Sequence, residues 1–452
     1  MPRKKISRKN INQNLDIKTL GRDQLFAYSK IESTNDNYFI TGKAGTGKSV
    51  LLSYFASHTK KNVAILAPTG IAALNIGGQT IHSFFRLELN TQNYRNLEKV
   101  TDLKDRQIKL INKLDTIIID EISMVSADIM DMIDAKLRYA RGKDLPFGGI
   151  QMIVFGDLFQ LPPVLPRGGA YEFMRANYRS IYFFDSNVVR EHPFTIIELS
   201  DVYRQSDPAF INILNRIRLG QVDWDLLNEI NSRCCTPPKT DHYITLSSIN
   251  ATADNINASR LSAIPSQEYN YYAKITGELS EREYPASETL KLREGAQVMM
   301  LKNDRTDLDA GSSKQRWVNG TLATIAYLDE ENIQIDINGN VYTVDLEKWD
   351  KYRYCYDEET GLFDKELVAT FTQYPLKLAY AITIHKSQGQ TYDSVHIDLG
   401  RGAFATGQTY VALSRCRSLD NLSLAKPLRP YDIRVDKCVM NWLENSNVLK
   451  LN

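Results

Sequence analysis

Cysteine and histidine are scarce in this chain of 452 residues, with five of the first and six of the second. Cys234, Cys235, Cys355, Cys416 and Cys438 form no C-x-x-C pair, and no histidine stands at ligand spacing from them. That argues against structural zinc and against a disulfide framework, and it suits a reducing compartment. Charge of one sign is missing too. Lys and Arg number 55 against 54 Asp and Glu, a net charge of +1. No global field draws in nucleic acid, so any such binding needs local clusters of cations. No run approaches the ~20 apolar residues of a bilayer span. Internal repeats and long low-complexity tracts are absent. Met1 to Asn10 carries Arg3, Lys4, Lys5, Arg8 and Lys9 with no apolar segment behind them. It reads as a basic tail rather than a secretory signal, with a nucleic-acid arm as the sharper alternative.

What is present is ordinary globular composition, 43% hydrophobic and 24% charged, in a chain long enough for two to four domains. Residues from about 20 to 200 alternate short apolar runs with helical patterns, which predicts a mostly parallel α/β sheet. Tyr38–Thr41, Val63–Ala67, Thr116–Ile119 and Met152–Phe155 are the strand candidates. Each ends where a motif begins, at the sheet edge where open α/β folds hold ligands. Asn90 to Asp105 is polar and breaks the rhythm as an excursion. A second α/β region is expected from near Ile196, with a Tyr243–Ser247 strand and an Ala251–Ala263 helix. A β-rich stretch interrupts it from about Glu294 to Gln373. There, Asn338-Gly339 supplies a hairpin turn signal. The pattern resumes at Leu378, with Val395–Asp398 as a further strand.

The most informative stretch is Thr41-Gly42-Lys43-Ala44-Gly45-Thr46-Gly47-Lys48-Ser49, between an apolar run and a helical pattern. Gly42, Gly47, Lys48 and Ser49 fit the phosphate-loop spacing. Glycines let consecutive N–H groups converge on phosphate oxygens, and the following helix points its positive end at the same anion. Lys48 can reach the β- and γ-phosphates, and the Ser49 hydroxyl can hold Mg²⁺. Asp120 and Glu121 end the third strand candidate. Asp120 is placed to hold Mg²⁺ through water, and Glu121 to deprotonate the attacking water. Gln160, in Gly156-Asp157-Leu158-Phe159-Gln160, can sense the γ-phosphate. Arg204 and Arg415 are candidates to neutralise transition-state charge, with ATP bridging two domains; for either alone, a surface ion pair is the commoner role.

These elements, together with Ala67-Pro68-Thr69-Gly70, Gly78-Gln79-Thr80-Ile81-His82-Ser83-Phe84, Tyr203-Arg204-Gln205, Ala381 through His385-Lys386-Ser387-Gln388-Gly389-Gln390-Thr391, and Val411 through Arg415, resemble superfamily 1B helicases, and the Pif1 family in particular. The segment from Met124 through Leu137-Arg138 to Pro146-Phe147-Gly148-Gly149-Ile150-Gln151 resembles that family's own signature. The resemblance runs from about Leu20 to Leu424.

It implies two RecA-like α/β domains of parallel sheet, with a small wedge inserted in the first and an SH3-like barrel in the second. The expected boundaries are a tail at 1–19, a first domain at 20–198 with the wedge at about 86–107, and a second domain at 199–293 and 374–430. The barrel takes 294–373 and a terminal helix or tail 431–452. Arg316-Trp317-Val318-Asn319-Gly320 resembles the start of that barrel, with Trp317 expected to stack on protein. Gln24 would read the adenine edge. Gly42, Ala44, Gly45, Thr46, Gly47, Lys48, Ser49, Gly389 and Gln390 would surround the nucleotide, with Ser49 and Asp120 on Mg²⁺. Thr69, Gly70, His82, Thr383, His385 and Ser387 would line a DNA track of phosphate contacts.

The implied activity is an ATP- and Mg²⁺-dependent helicase moving 5′→3′ on single-stranded DNA, acting in replication, repair, recombination and telomere maintenance. Single-strand/duplex junctions are its expected partners, with G-quadruplex DNA as a further candidate. A monomer with no membrane partner is expected, in the cytoplasm and on the nucleoid if bacterial. The competing readings are a motor of the same superfamily with another job, including an RNA-directed one, and a non-enzymatic binding module on a dead NTPase core.

Overall fold

The structure, a computed structural model, describes residues 17–88, 92–165, 168–205, 207–234, 242–304, 316–356 and 363–449. The expected basic tail through residue 16, part of the expected wedge (89–91) and Cys235 lie outside the described residues. The chain forms two compact units. The first runs to Tyr203 and takes in Lys351–Val368 and Asp436–Asn452; the second comprises Arg204–Asp350 and Ala369–Val435.

The first unit is built on six strands of the early chain, β1 (Tyr38–Gly42), β2 (Val63–Ala67), β3 (Gln79–Thr80), β4 (Thr116–Ile119), β5 (Gln151–Phe155) and β6 (Thr195–Leu199). All neighbours are parallel, in the order β6-β1-β5-β4-β2-β3. β1, β4 and β5 are buried along their whole length, which is why they read as continuous apolar runs rather than alternating ones. Helices α1 (Arg22–Ser33) and α2 (Lys48–His58) cover one face through a core that includes Ala27, Ile31, Leu51 and Phe55.

The expectation that a second α/β region begins near Ile196 is corrected here. Ile196 pairs with Phe39 inside this sheet, and a last strand, Val448–Leu449, pairs in turn with β6. The terminal helix Lys437–Glu444 returns to the same unit, where Trp442 stacks on Phe184 with ring centroids 4.4 Å apart. Lys351–Val368 also belongs here: the Ile65 N–H donates to the Tyr354 hydroxyl at 2.9 Å, and Arg106 and Arg353 both pair with Glu366.

In the second unit a parallel sheet runs in the order Ala381–Thr383, β7 (Ile244–Ser247), Val395–Asp398, Leu422–Leu424. An antiparallel five-stranded sheet comes from Gln297–Met300, Leu322–Leu328, Ile333–Ile337, Asn340–Val344 and Leu376–Leu378. Asn338 at φ 54° and Gly339 at φ 85° make the tight turn between Ile337 and Asn340, a left-handed pair that Asn-Gly adopts at little cost. Trp317 is buried in this sheet's core beside Tyr342, with the Arg316 guanidinium 4.4 Å from its ring centre. Among the described residues no helix is long and apolar enough to cross a membrane.

Candidate functional site

Parallel register puts the carboxyl ends of β1, β4 and β5 side by side, so the loops that leave them converge. The β1 loop holds the glycines. Gly47 caps α2 at φ 76°, in the left-handed region, and a Cβ there would come within 2.2 Å of Gln24 Nε2. Only glycine fits both conditions. The Lys48 ammonium donates to the Gly42 carbonyl at 2.7 Å and the Lys43 carbonyl at 3.0 Å, which folds the lysine over the loop's centre. Thr46 Oγ1 donates to the Lys43 carbonyl, bracing the same curl. Ser49 occupies the first turn of α2.

Gln24, buried on α1, accepts from the Gly21 N–H at 2.8 Å and donates to the Gly47 carbonyl at 3.0 Å. Its amide is thereby tied to the phosphate loop. Tyr203 completes this corner. Its N–H donates to the Gly45 carbonyl at 2.8 Å, while its ring stays 58% exposed and stands against Gly21 and Gly47. An exposed, anchored ring beside an amide offers a stacking face for a planar base. Sequence reasoning quoted Tyr203 only as the neighbour of Arg204. An aromatic next to a charged motif residue was the available signal.

At the end of β4, Asp120 Oδ1 accepts from the Glu121 N–H at 2.9 Å. Crowding by protein atoms, with the Glu121 charge beside it, pushes the Asp120 carboxyl up to about 7, against the opposing pull of that N–H and of Lys48. A carboxylate so poorly compensated fits a hard divalent cation, and with the Ser49 hydroxyl it supplies oxygen donors of the required kind. Glu121 sits at φ 51°, ψ 46°, a left-handed conformation costing roughly 1–2 kcal/mol for a side-chain-bearing residue. After β5, the Gln160 N–H donates to the Asp157 carbonyl at 2.9 Å and the Phe159 N–H to Asp157 Oδ1, a turn that sets Gln160 at the same sheet edge.

The signature segment has a physical role that its sequence did not reveal. The helix Ala127–Arg141 buries three carboxylates, each receiving main-chain N–H groups from a different segment. Asp128 takes Gln92 at 2.7 Å, Asp131 takes Asn187 and Val188, and Asp134 takes Phe147. Lys136 on the same helix is 1% exposed and pairs with Asp102. The excursion between β3 and β4 is thus tied to this helix at Gln92 and at Asp102.

In the second unit, Arg415 is 1% exposed. It donates to the carbonyls of Val411 and Gln390 at 3.0 and 3.1 Å and to Ser414 Oγ. Arg204 and Gln205 both donate to the Ser414 carbonyl. The two candidate arginines therefore share one loop, which Gln205 braces again through the Cys416 carbonyl. Gly389 is at φ 78°, and Gln390 Oε1 accepts from the Tyr392 hydroxyl.

The expected track residues divide. Thr69 caps the helix Gly70–Asn75 by accepting the Ala72 N–H. Burial lowers the pKa of both His82 and His385 from the ordinary histidine value, with Asp128 opposing the shift at His82. Ser387 is fully buried and donates to the Ile384 carbonyl, and Thr383 is 4% exposed. Both hydroxyls stand at the inner side of the loop that follows Ala381–Thr383. The exposed cation of that loop is Lys386, which sequence reasoning passed over.

The family model described as PIF1-like helicase matches residues 19–226. A Bdellovibrio bacteriovorus protein named ATP-dependent DNA helicase Pif1 is 32% identical over 434 residues, covering 94% of this chain and 91% of its own. A Xenopus laevis helicase of the same name is 35% identical over 405 residues, and the match spans 58% of that longer protein. Pif1 from Bacteroides in complex with ADP-AlF4 superposes with a TM-score of 0.86 at 35% identity, over 94% of this chain and 96% of that one. The same Bacteroides protein bound to single-stranded DNA gives 0.67.

Proposed function

The chain belongs to the Pif1 family of ATP-dependent DNA helicases, and from that premise we propose that it is a motor moving 5′→3′ on single-stranded DNA and unwinding the duplex ahead. The observation that supports this best is the convergence of Lys48, Asp120, Glu121 and Gln160 at one sheet edge, beside Gln24 and Tyr203. In this reading Gln24 and Tyr203 hold adenine, by edge and by face. Lys48 leaves the loop carbonyls for the phosphates, while Ser49 and Asp120 hold Mg²⁺. Glu121 deprotonates the attacking water, Gln160 reports the γ-phosphate, and Arg204 and Arg415 supply charge for the transferred phosphoryl group. Gly389 and Gln390 couple that step to the strand, which Thr69, Gly70, His82, Thr383, His385 and Ser387 meet through phosphates, with the exposed Lys386 beside them.

The excursion held by the signature helix acts as the wedge, and the barrel-like sheet lies over the single strand. Forked DNA is the expected substrate class, in line with a similar structure described as DNA unwinding at forked dsDNA by two coordinating Pif1 helicases; G-quadruplexes are a further one. Replication, repair, recombination and telomere maintenance are the settings for this chemistry. A monomer acting on the nucleoid, if the source is bacterial, is the expected form.

The test is unwinding of matched duplexes carrying only a 5′ or only a 3′ single-stranded tail, each in DNA and RNA versions, with ATP turnover followed in parallel. Activity confined to 5′-tailed DNA is expected. Unwinding from 3′ tails would overturn the polarity. ATPase that is negligible with and without single strands would mean a binding module instead.

A further inference from the structure

The parallel sheet of the second unit ends in four loops along its carboxyl edge, in the order set by its strands. The first two, after Ala381–Thr383 and after β7, carry His385–Lys386 and Ser248–Asn250. The other two follow Val395–Asp398 and Leu422–Leu424, and the track motifs do not reach them. The Ser248 hydroxyl donates to the Leu399 carbonyl at 3.2 Å, so the second loop leads directly onto the third. Lys426 Nζ donates to the Gly400 carbonyl at 3.1 Å, which joins the third to the fourth.

This far end of the edge is basic and aromatic. Arg401, Lys426, Arg429 and Arg434 are all exposed. Phe404 is 59% exposed and Tyr431 is 53% exposed. Two of the guanidinium groups are tethered to neighbouring carbonyls. Arg429 Nη2 donates to the Arg401 carbonyl at 3.0 Å, Arg434 Nη1 donates to the Phe404 carbonyl at 3.4 Å, and the Arg429 guanidinium lies 4.1 Å from the centre of the Tyr431 ring. Arg401 makes no ion pair among the described residues. Two carboxylates are in contact with the cluster, and both are engaged. Asp398 accepts the Gly400 N–H. Asp432, 2% exposed, accepts the N–H groups of Ala403 and Arg429 and the Arg429 Nε. Four exposed cations against one buried and one engaged carboxylate leave a local positive patch on a chain of nearly zero net charge.

Exposed rings interleaved with cations make a surface that a partner both flat and anionic would match. Single-stranded nucleic acid is such a partner, because phosphates take the arginines and a base takes a ring face. We propose that Arg401, Phe404, Lys426, Arg429, Tyr431 and Arg434 form a second single-strand contact. It prolongs the strand's path along the sheet edge beyond the His385–Lys386 and Ser248–Asn250 loops. An acidic protein segment would meet the cations but would leave the exposed Phe404 ring without a stacking partner. The proposal rests on the reading of the chain as a motor on single strands.

Fluorescence anisotropy with oligo-dT of about 6 and about 16 nucleotides, the range a single-strand site spans, separates the two contacts. Arg401→Glu with Phe404→Ala is expected to weaken the long oligomer about tenfold or more and leave the short one unchanged. Arg401→Ala with Lys426→Ala is expected to lower the slope of log affinity against log salt by about two. Phe404→Leu, which keeps an apolar side chain but loses the ring, should lose the same stacking share as Phe404→Ala, with melting temperature and DNA-free ATP turnover unchanged. Wild-type protein that binds both lengths, with variants matching it on the long one in affinity and salt slope, overturns this contact alone. Wild-type protein that binds neither length overturns the motor reading, and this contact with it.

Discussion

Asp102→Ala should destabilise the first unit through a residue that it does not remove. Its partner Lys136 is 1% exposed, while Asp102 keeps 33% of its side chain in water. Removing one member of a fully buried pair costs about 3–5 kcal/mol, because the other charge stays behind unpaired. The partial exposure of Asp102 screens part of this, so about 2–3 kcal/mol is expected near pH 7. Lys136→Met leaves only a half-solvated carboxylate and should cost about 1 kcal/mol or less. The double variant should therefore be more stable than Asp102→Ala alone.

The pH dependence has a definite sign. Burial already lowers the Lys136 pKa, while Asp102 holds it up. Without Asp102, the folded state binds fewer protons at Lys136 than the unfolded state. Stability then rises as pH climbs toward the unfolded value of 10.5, and the deficit of Asp102→Ala shrinks. Guanidinium denaturation of the four proteins, at pH 7 and pH 9, measures all of this. If Asp102→Ala stays within about 0.5 kcal/mol of wild type, or if the double variant is no more stable than Asp102→Ala, the buried ammonium is not what holds the excursion. Single-strand-stimulated ATPase should persist in Asp102→Ala while unwinding falls, since the pair belongs to the excursion proposed as the wedge.

In metal-free protein, Asp120 has its pKa raised from 3.8 to about 7, so its contribution to stability is present below pH 4 and lost as pH climbs through 7. Asp120→Asn should then melt higher than wild type at pH 8 in EDTA, by on the order of 2–4 kcal/mol of stability, whereas Mg²⁺ with nucleotide should stabilise only wild type; a lower melting point in EDTA would refute this. Glu121→Gln should retain nucleotide affinity while turnover falls about 10²–10⁴-fold, and near wild-type turnover would remove Glu121 as the base. Gly47→Ala meets Gln24 Nε2 at 2.2 Å in a left-handed conformation; nucleotide affinity measured by fluorescent-analogue titration should fall at least about tenfold, given ~1–2 kcal/mol of backbone strain alone.

The phosphate loop, the Asp120-Glu121 pair and the Asn338-Gly339 turn were legible because each is local. A few adjacent residues set the dihedral angles and the hydrogen bonds, and no distant partner is needed. Thr383 and Ser387 were legible as part of a motif but not as side chains. Whether a hydroxyl points to solvent or back to the Ile384 carbonyl depends on how the loop packs. Tyr203 and Lys386 were less legible, since adjacency to a motif residue signals them without showing that the ring or the cation stays exposed at the site's edge.

Contiguous residues were enough to read the family, the strand ends and the order of the motifs, because parallel buried strands and glycine-rich turns are written locally. Tertiary structure alone decided which sheet a strand joins. Thr195–Leu199 is as apolar as any strand of a second domain would be, but its N–H and C=O groups pair with β1 and with Val448–Leu449, from opposite ends of the chain. The same holds for the three buried aspartates of the signature helix. Helical spacing shows acidic residues that composition would send to the surface, and only the arrival of Gln92, Phe147 and Asn187 N–H groups makes their burial favourable. Pairing between distant segments carries no local signature, because any strand edge or carboxylate accepts any properly aimed N–H.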